Sequence, residues 1–234
     1  MEKMNLVLVP GLLCDAALWE HQSRYLSETA DIRIADVTRS ETMIEMAETV
    51  LAMAPEKFAL AGLSMGGYVS LEIMRRAPER VTKLALLDTS ARPDTEEQTR
   101  RRHHLIKLAR EGAFSEVIST LLSLIVHPDR MQDEQLCNNI KEMNRRVGPE
   151  IFMLHQDAIM GRPDSRNDLP TTIKCPTLIL CGRQDALTPL EVHEEMSSMI
   201  PKSHLAIIED CGHMSTMERP QAVTALLRDW LLYW

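Results

Sequence analysis

Aromatic side chains are scarce in this chain of 234 residues: three Phe, three Tyr and three Trp make up 4% of it. A ligand held by stacking between rings is therefore a poorer expectation than an aliphatic or small mixed one. Long apolar runs are missing too, and none approaches the roughly 20 residues that a membrane-spanning helix needs. What remains has the 44% apolar and 26% charged residues of a globular chain, long enough to bury a full core in one domain. Excess positive charge is also lacking. The 26 Lys and Arg against 34 Asp and Glu give a net charge of −8, with no overall pull on nucleic acid phosphates. The one basic cluster, residues 100–104, follows Glu96 and Glu97 in a helix-like segment and reads as a solvated helix face.

Cysteine is sparse and unpatterned. Cys14, Cys137, Cys175, Cys181 and Cys211 are odd in number and show no C-x-x-C spacing, which argues against a disulfide framework and against structural zinc. H-E-x-x-H, EF-hand and G-x-x-x-x-G-K-[ST] patterns are missing as well, so no metal and no cofactor are expected. Lys3 and the apolar stretch up to Cys14 imitate a signal peptide only faintly. Pro10-Gly11 interrupts the run, and bulky Leu12 and Leu13 stand where cleavage needs small residues. A cytoplasmic, reducing setting is the expectation.

The residues that are present alternate in kind. Short, near-continuous apolar runs at 6–9, 32–37, 58–61, 84–87, 177–181 and 205–208 suggest strands covered on both faces, as in a parallel sheet. Helical spacing marks 16–27, 42–53, 68–75, 190–199 and 221–232 between them. This is the pattern of a mostly parallel, doubly wound α/β sheet with right-handed crossovers. It breaks between about residues 92 and 169, where 103–108, 114–126, 134–143 and 151–160 all read as helix. Loop signals flank that span, "ARPDTEE" before it and "GRPDSRNDLP" after it. The expected organisation is a core of residues 1–91 and 170–234 with a helical cap, 92–169, inserted after the strand that follows the motif described next.

That motif is Gly62-Leu63-Ser64-Met65-Gly66, between an apolar run and a helical pattern. G-x-S-x-G alone is moderately specific; its strand-turn-helix context makes it a candidate nucleophile elbow rather than a glycine-rich turn whose serine caps a helix. A serine hydroxyl needs a base, and the base needs an acid to orient it. Of eight histidines, His213 stands on a short glycine-containing loop between the last strand and the final helix. His204 opens that strand, His193 is assigned to a polar helix face, and His21 lies in the first helix. His103, His104, His127 and His155 fall in the helical insertion, from which the last two are candidates to line a pocket. For the acid, Asp185 in "LILCGRQDALTP" competes with Asp88 in "LALLDTSAR"; both follow strands, and the chain order Ser64, Asp185, His213 favours Asp185. Two backbone donors for an oxyanion are expected at the N–H groups of Met65, in the elbow, and Leu12, in the loop after the first strand. Pro10 has no N–H to give.

The stretches "LVLVPGLLCDAALWEHQ", "LAGLSMGGYVSLEI", "CPTLILCGRQDALTP" and "EDCGHMSTMERP" resemble the α/β-hydrolase fold superfamily, in its small cytoplasmic esterase-like group. They span the whole predicted sheet and leave only the helical insertion unmatched. Members often carry His-Gly in the first loop, where this chain has Pro10-Gly11. The resemblance implies Ser64 as nucleophile, His213 as base, Asp185 as its partner, and Leu12 and Met65 as oxyanion hole. It also implies a cofactor-independent enzyme cleaving a small ester, thioester or lactone through an acyl-enzyme, with a small molecule as its partner. The same residues would serve a carbon-carbon bond hydrolase or a proton-abstracting lyase, and a slow-turnover ligand receptor would keep them too. Arg162 is a candidate to meet a substrate carboxylate, against the alternative of a solvated arginine at the edge of the insertion.

Overall fold

The protein is described by a computed structural model covering residues 3–234. Six strands, β1 (Met4–Val9), β2 (Ala30–Ile34), β3 (Phe58–Leu63), β4 (Val81–Leu87), β5 (Thr177–Gly182) and β6 (Ser203–Ile208), form one sheet in the order β2-β1-β3-β4-β5-β6. Every neighbouring pair is parallel. The helices are α1 (Glu20–Leu26), α2 (Met43–Met53), α3 (Met65–Arg76), α4 (Glu96–Arg110), α5 (Phe114–Ile125), α6 (Glu134–Met160), α7 (Leu169–Thr172), α8 (Leu190–Met199), α9 (Ser215–Glu218) and α10 (Pro220–Tyr233).

Burial explains the continuous apolar runs. Every residue of β3 and of β5 is buried, because each strand feeds two cores at once. Along β1, Leu6 and Leu8 join one cluster with Trp19, Leu227 and Trp230, while Val7 and Val9 join another with Met46, Val69 and Met196. Alternate side chains point to opposite faces of the pleat, so α1 and α10 cover one face while α2, α3 and α8 cover the other. Two elements differ from the sequence reading. β2 stops at Ile34, since the Asp36 carboxylate folds back onto the Thr38 N–H (3.0 Å) and turns the chain away from the sheet edge. The first helical stretch divides into a 3₁₀ turn, Ala16–Trp19, capped by Asp15, followed by α1.

Between β4 and β5 the chain is helical without a strand. A reciprocal cap between Thr95 and Gln98 starts α4, and Asp133 accepts from the Leu136 N–H (3.0 Å) to start α6. The latter is bent where Gly148 adopts φ 86° ahead of Pro149, which accounts for the two separate helical patterns in that stretch. Leu105, Ala109, Val117 and Phe152 pack on Leu13, so the insertion rests on the loop after β1. Among the described residues no helix is long and apolar enough to cross a membrane.

Candidate active site

The strand order reverses direction at β1, whose neighbours are β2 and β3, and the crevice outside the carboxyl ends of such strands is where open α/β sheets bind ligands. Ser64 follows β3 there with φ 55° and ψ −115°, a conformation that side chains other than glycine rarely adopt. It is held by Ser64 N–H donating to Leu87 O (2.9 Å) and by Thr89 Oγ1 donating to Ser64 O (2.8 Å). The turn is so tight that a Cβ on Gly62 would strike the Gly66 carbonyl, and one on Gly66 would strike that of Val9. The sequence needs glycine at both places for that reason.

Ser64 Oγ lies 2.8 Å from His213 Nε2, and His213 Nδ1 lies 2.7 Å from Asp185 Oδ2. Asp185 also accepts from the N–H groups of Leu187 (2.8 Å) and Thr188 (3.0 Å) and from Thr188 Oγ1 (2.7 Å). Burial would raise its pKa, but the facing His213 and these hydrogen bonds hold it below the ordinary carboxylate value. An ionised carboxylate only accepts, so the Nδ1 proton points to Asp185 and Nε2 is left to accept from the Ser64 hydroxyl. Burial opposes a charged His213, yet the charge and hydrogen bond of Asp185, with the nearby Asp88 and Glu218, together outweigh it and raise the imidazole pKa.

Asp88 stands next to this row without joining it. Its carboxylate accepts from Gly182 N–H (3.0 Å) and pairs with the Ser215 hydroxyl. Complete burial and the charge of Asp185 push its pKa well up. The structure thus brings Asp185, and not Asp88, onto His213. Leu12 lines the same cavity as Ser64 and Met65 follows the serine as the first residue of α3, and neither backbone N–H donates to a protein group among the described residues. The Leu12 loop is clasped from the insertion by Asn144 Nδ2, which donates to Leu13 O (3.0 Å).

The other candidates fall elsewhere. His193 is buried rather than on a polar face: its Nδ1–H donates to Pro189 O (3.2 Å) and its Nε2 accepts from Thr89 N–H (3.0 Å). Burial drives its pKa down to about 4. His127 accepts from Asp129 N–H through Nδ1 (3.1 Å), and His155 contacts Val37 O through Nε2 (3.1 Å); neither lines the cavity over Ser64. Arg162 does line it, and is buried instead of solvated, paired with Asp94 (2.6 Å). Sequence reading also passed over Glu218. Its buried carboxylate accepts from the N–H groups of Gly212 (3.0 Å), Met214 (3.2 Å) and His127 (2.9 Å), which shapes the loop that carries His213. Nothing in the local pattern "TMERP" marks that role.

A cavity of about 250 Å³ opens over Ser64 and His213, with a wall from α4, α5 and α6. Among the described residues no group of three or more His, Cys, Asp or Glu is placed to hold a metal ion.

Sheet order, elbow and the two loops at its carboxyl edge are those of an α/β hydrolase. The chain belongs to the alpha/beta hydrolase fold family, which it matches over residues 31–220. It is 24% identical to a pimeloyl-[acyl-carrier protein] methyl ester esterase of Vibrio campbellii, over 97% of this chain and 94% of that one. The corresponding esterase of Aliivibrio salmonicida is 28% identical over 91% and 86%. Among solved structures, a thermophilic esterase from Thermogutta terrifontis, malate bound, superposes with a TM-score of 0.88 at 30% identity, over 97% of this chain and 89% of that one. The enol-lactonase of Burkholderia xenovorans superposes at 0.89 with 22% identity, over 99% and 92%, a likeness of fold.

Proposed function

We propose that this protein is a serine hydrolase that cleaves a small ester, thioester or lactone through an acyl-enzyme. The observation that carries the reading is the row Ser64 Oγ, His213 Nε2, His213 Nδ1, Asp185 Oδ2, with steps of 2.8 and 2.7 Å, at the floor of a cavity. In this reading Ser64 Oγ attacks the carbonyl carbon while His213 Nε2 takes its proton. Asp185 keeps the imidazole in the right tautomer and balances the positive charge it acquires. Negative charge gathers on the carbonyl oxygen, where the N–H groups of Leu12 and Met65 are the donors at hand. Collapse of the tetrahedral species expels the alcohol or thiol with the proton from His213. Water then repeats the sequence on the acyl-enzyme and frees the acid and Ser64.

Residues 92–169 serve as a cap in this reading, because their helices supply much of the cavity wall above the serine. Esterase activity in relatives at 24 to 30% identity supports ester cleavage. The test is intact-mass spectrometry after treatment with a fluorophosphonate. One adduct, lost in Ser64→Ala, is expected; no adduct on the native protein would remove the activated serine from the reading.

A further inference from the structure

The cavity over Ser64 has an unexpected charge for a protein of net charge −8. Arg92, Arg101, Arg102 and Arg162 line it, against a single carboxylate, Glu191. Two of the four are built into the wall. Asp94, whose side chain is only 3% exposed, accepts from Arg102 Nε (2.6 Å) and from Arg162 Nη1 (2.6 Å). Burial would raise the Asp94 pKa, but hydrogen bonds and charge from both arginines hold it down, so it stays ionised. One negative charge therefore faces two positive ones, with Arg162 buried at 6% exposure and Arg102 partly buried at 17%.

Arg162 is the better placed of the pair. Its side chain is 6% exposed, its Nε donates to Arg92 O (3.1 Å), and its Nη1 also reaches Ile159 O (2.9 Å). Its Nη2 has no protein acceptor among the described residues. The guanidinium carbon stands over the Tyr68 ring, 4.3 Å from its centre, a cation–π contact that leaves the N–H groups free to donate. Tyr68 is four residues after Ser64 on α3, one helical turn and about 6 Å further along. A buried charge in surplus is costly unless something pairs with it. A planar fork of N–H donors fits a carboxylate.

We infer that the substrate carries a carboxylate in its acyl part, a few bonds from the carbonyl that Ser64 attacks, and that Arg162, with Arg102, binds it. The acyl part is the assignment because it stays in the buried site through both steps, whereas the leaving group must escape to water. This rests on the serine-hydrolase reading and narrows its substrate to half-esters of short dicarboxylic acids and compounds of the same shape.

The test compares monomethyl glutarate with methyl pentanoate on the native enzyme. We expect kcat/KM to favour the anionic ester by at least about tenfold, the scale of one charge-assisted hydrogen bond. Binding of glutarate to Ser64→Ala, measured by calorimetry, should be lost when Arg162→Gln is added. Labelling by fluorophosphonate with no preference between the esters would overturn this inference and leave the hydrolase reading standing. Failure of labelling together with retained glutarate binding would overturn the hydrolase reading, and the acyl assignment with it, and leave Arg162 and Arg102 as a carboxylate-binding site alone. Inhibition by inorganic phosphate as strong as by glutarate would overturn the carboxylate assignment.

Discussion

The N–H of His213 donates to the carbonyl of Ile125 at 2.9 Å, joining the loop that holds the imidazole to the last residue of α5. The helical insertion and the carboxyl edge of the sheet are thus one hydrogen-bonded unit at this point. Glu218 reinforces it from below, accepting from Gly212 and Met214 on the His213 loop and from His127 just after α5.

Glu218→Ala should accordingly damage both stability and turnover. It strips the acceptor from three buried N–H groups, and each buried donor left without a partner costs on the order of 1 to 3 kcal/mol, part of which water entering the space recovers. The expected loss is about 2 to 4 kcal/mol in urea unfolding, with kcat reduced because the imidazole loses its fixed position. A variant as stable as the native protein would show that the loop is held by other contacts.

The two buried acids should separate by substitution. Asp185 accepts from the imidazole and Asp88 does not, so Asp185→Asn should lower kcat by about 10³ to 10⁴-fold, the loss typical when the orienting carboxylate goes. Asp88 is held by Gly182 N–H and the Ser215 hydroxyl, which an asparagine side chain can still meet, and it makes no hydrogen bond to His213. Asp88→Asn should cost less than about tenfold. The opposite ranking, read from kcat of the two variants, would hand the orienting role to Asp88.

Much of this arrangement was open to inspection in the sequence, for physical reasons. Strands β3 and β5 are buried on both faces, so their composition carries the signal without neighbours. The elbow is legible because sterics leave no alternative to glycine at 62 and 66. His213 and Asp185 follow from chain order, since each loop must leave the same edge of the sheet. His193, Glu218 and the Asp94 pair were illegible because their roles depend on partners far away in the chain: Thr89 for His193, Gly212 and His127 for Glu218, Arg162 for Asp94. A polar residue at helical spacing looks alike on a wet face and in a core. Only the fold tells them apart.

Backbone strain at Ser64 gives a stability prediction of opposite sign to its effect on activity. Ser64→Gly and Ser64→Ala both remove the hydroxyl and should both abolish hydrolysis. At φ 55°, however, glycine relaxes a conformation that alanine must still bear. Ser64→Gly should be more stable than Ser64→Ala by about 1 kcal/mol or more, seen as a higher urea midpoint at equal slope. Equal midpoints would mean that the elbow stores no strain.

His213 and His193 should leave different marks on pH behaviour. Hydrolysis needs His213 neutral, and its pKa is raised above the ordinary 6.5, so kcat/KM should fall on the acid side with a midpoint above that value. The charged form is the one that folding favours. Its contribution to stability is complete below about 6.5 and is lost as pH rises through the raised value. His193 behaves in the opposite sense. Its folded pKa is about 4 against 6.5, because the ring is buried and its Nε2 must accept from Thr89. The neutral form is favoured, so this contribution is complete above 6.5 and is lost as pH falls toward 4. At about 1.4 kcal/mol per pH unit the total is about 3 kcal/mol. Urea midpoints measured from about pH 7 to about pH 4 should therefore fall steeply in the native protein and less so in His193→Gln, whose stability at neutral pH starts lower. An identical slope in the variant would assign the acid sensitivity to another group.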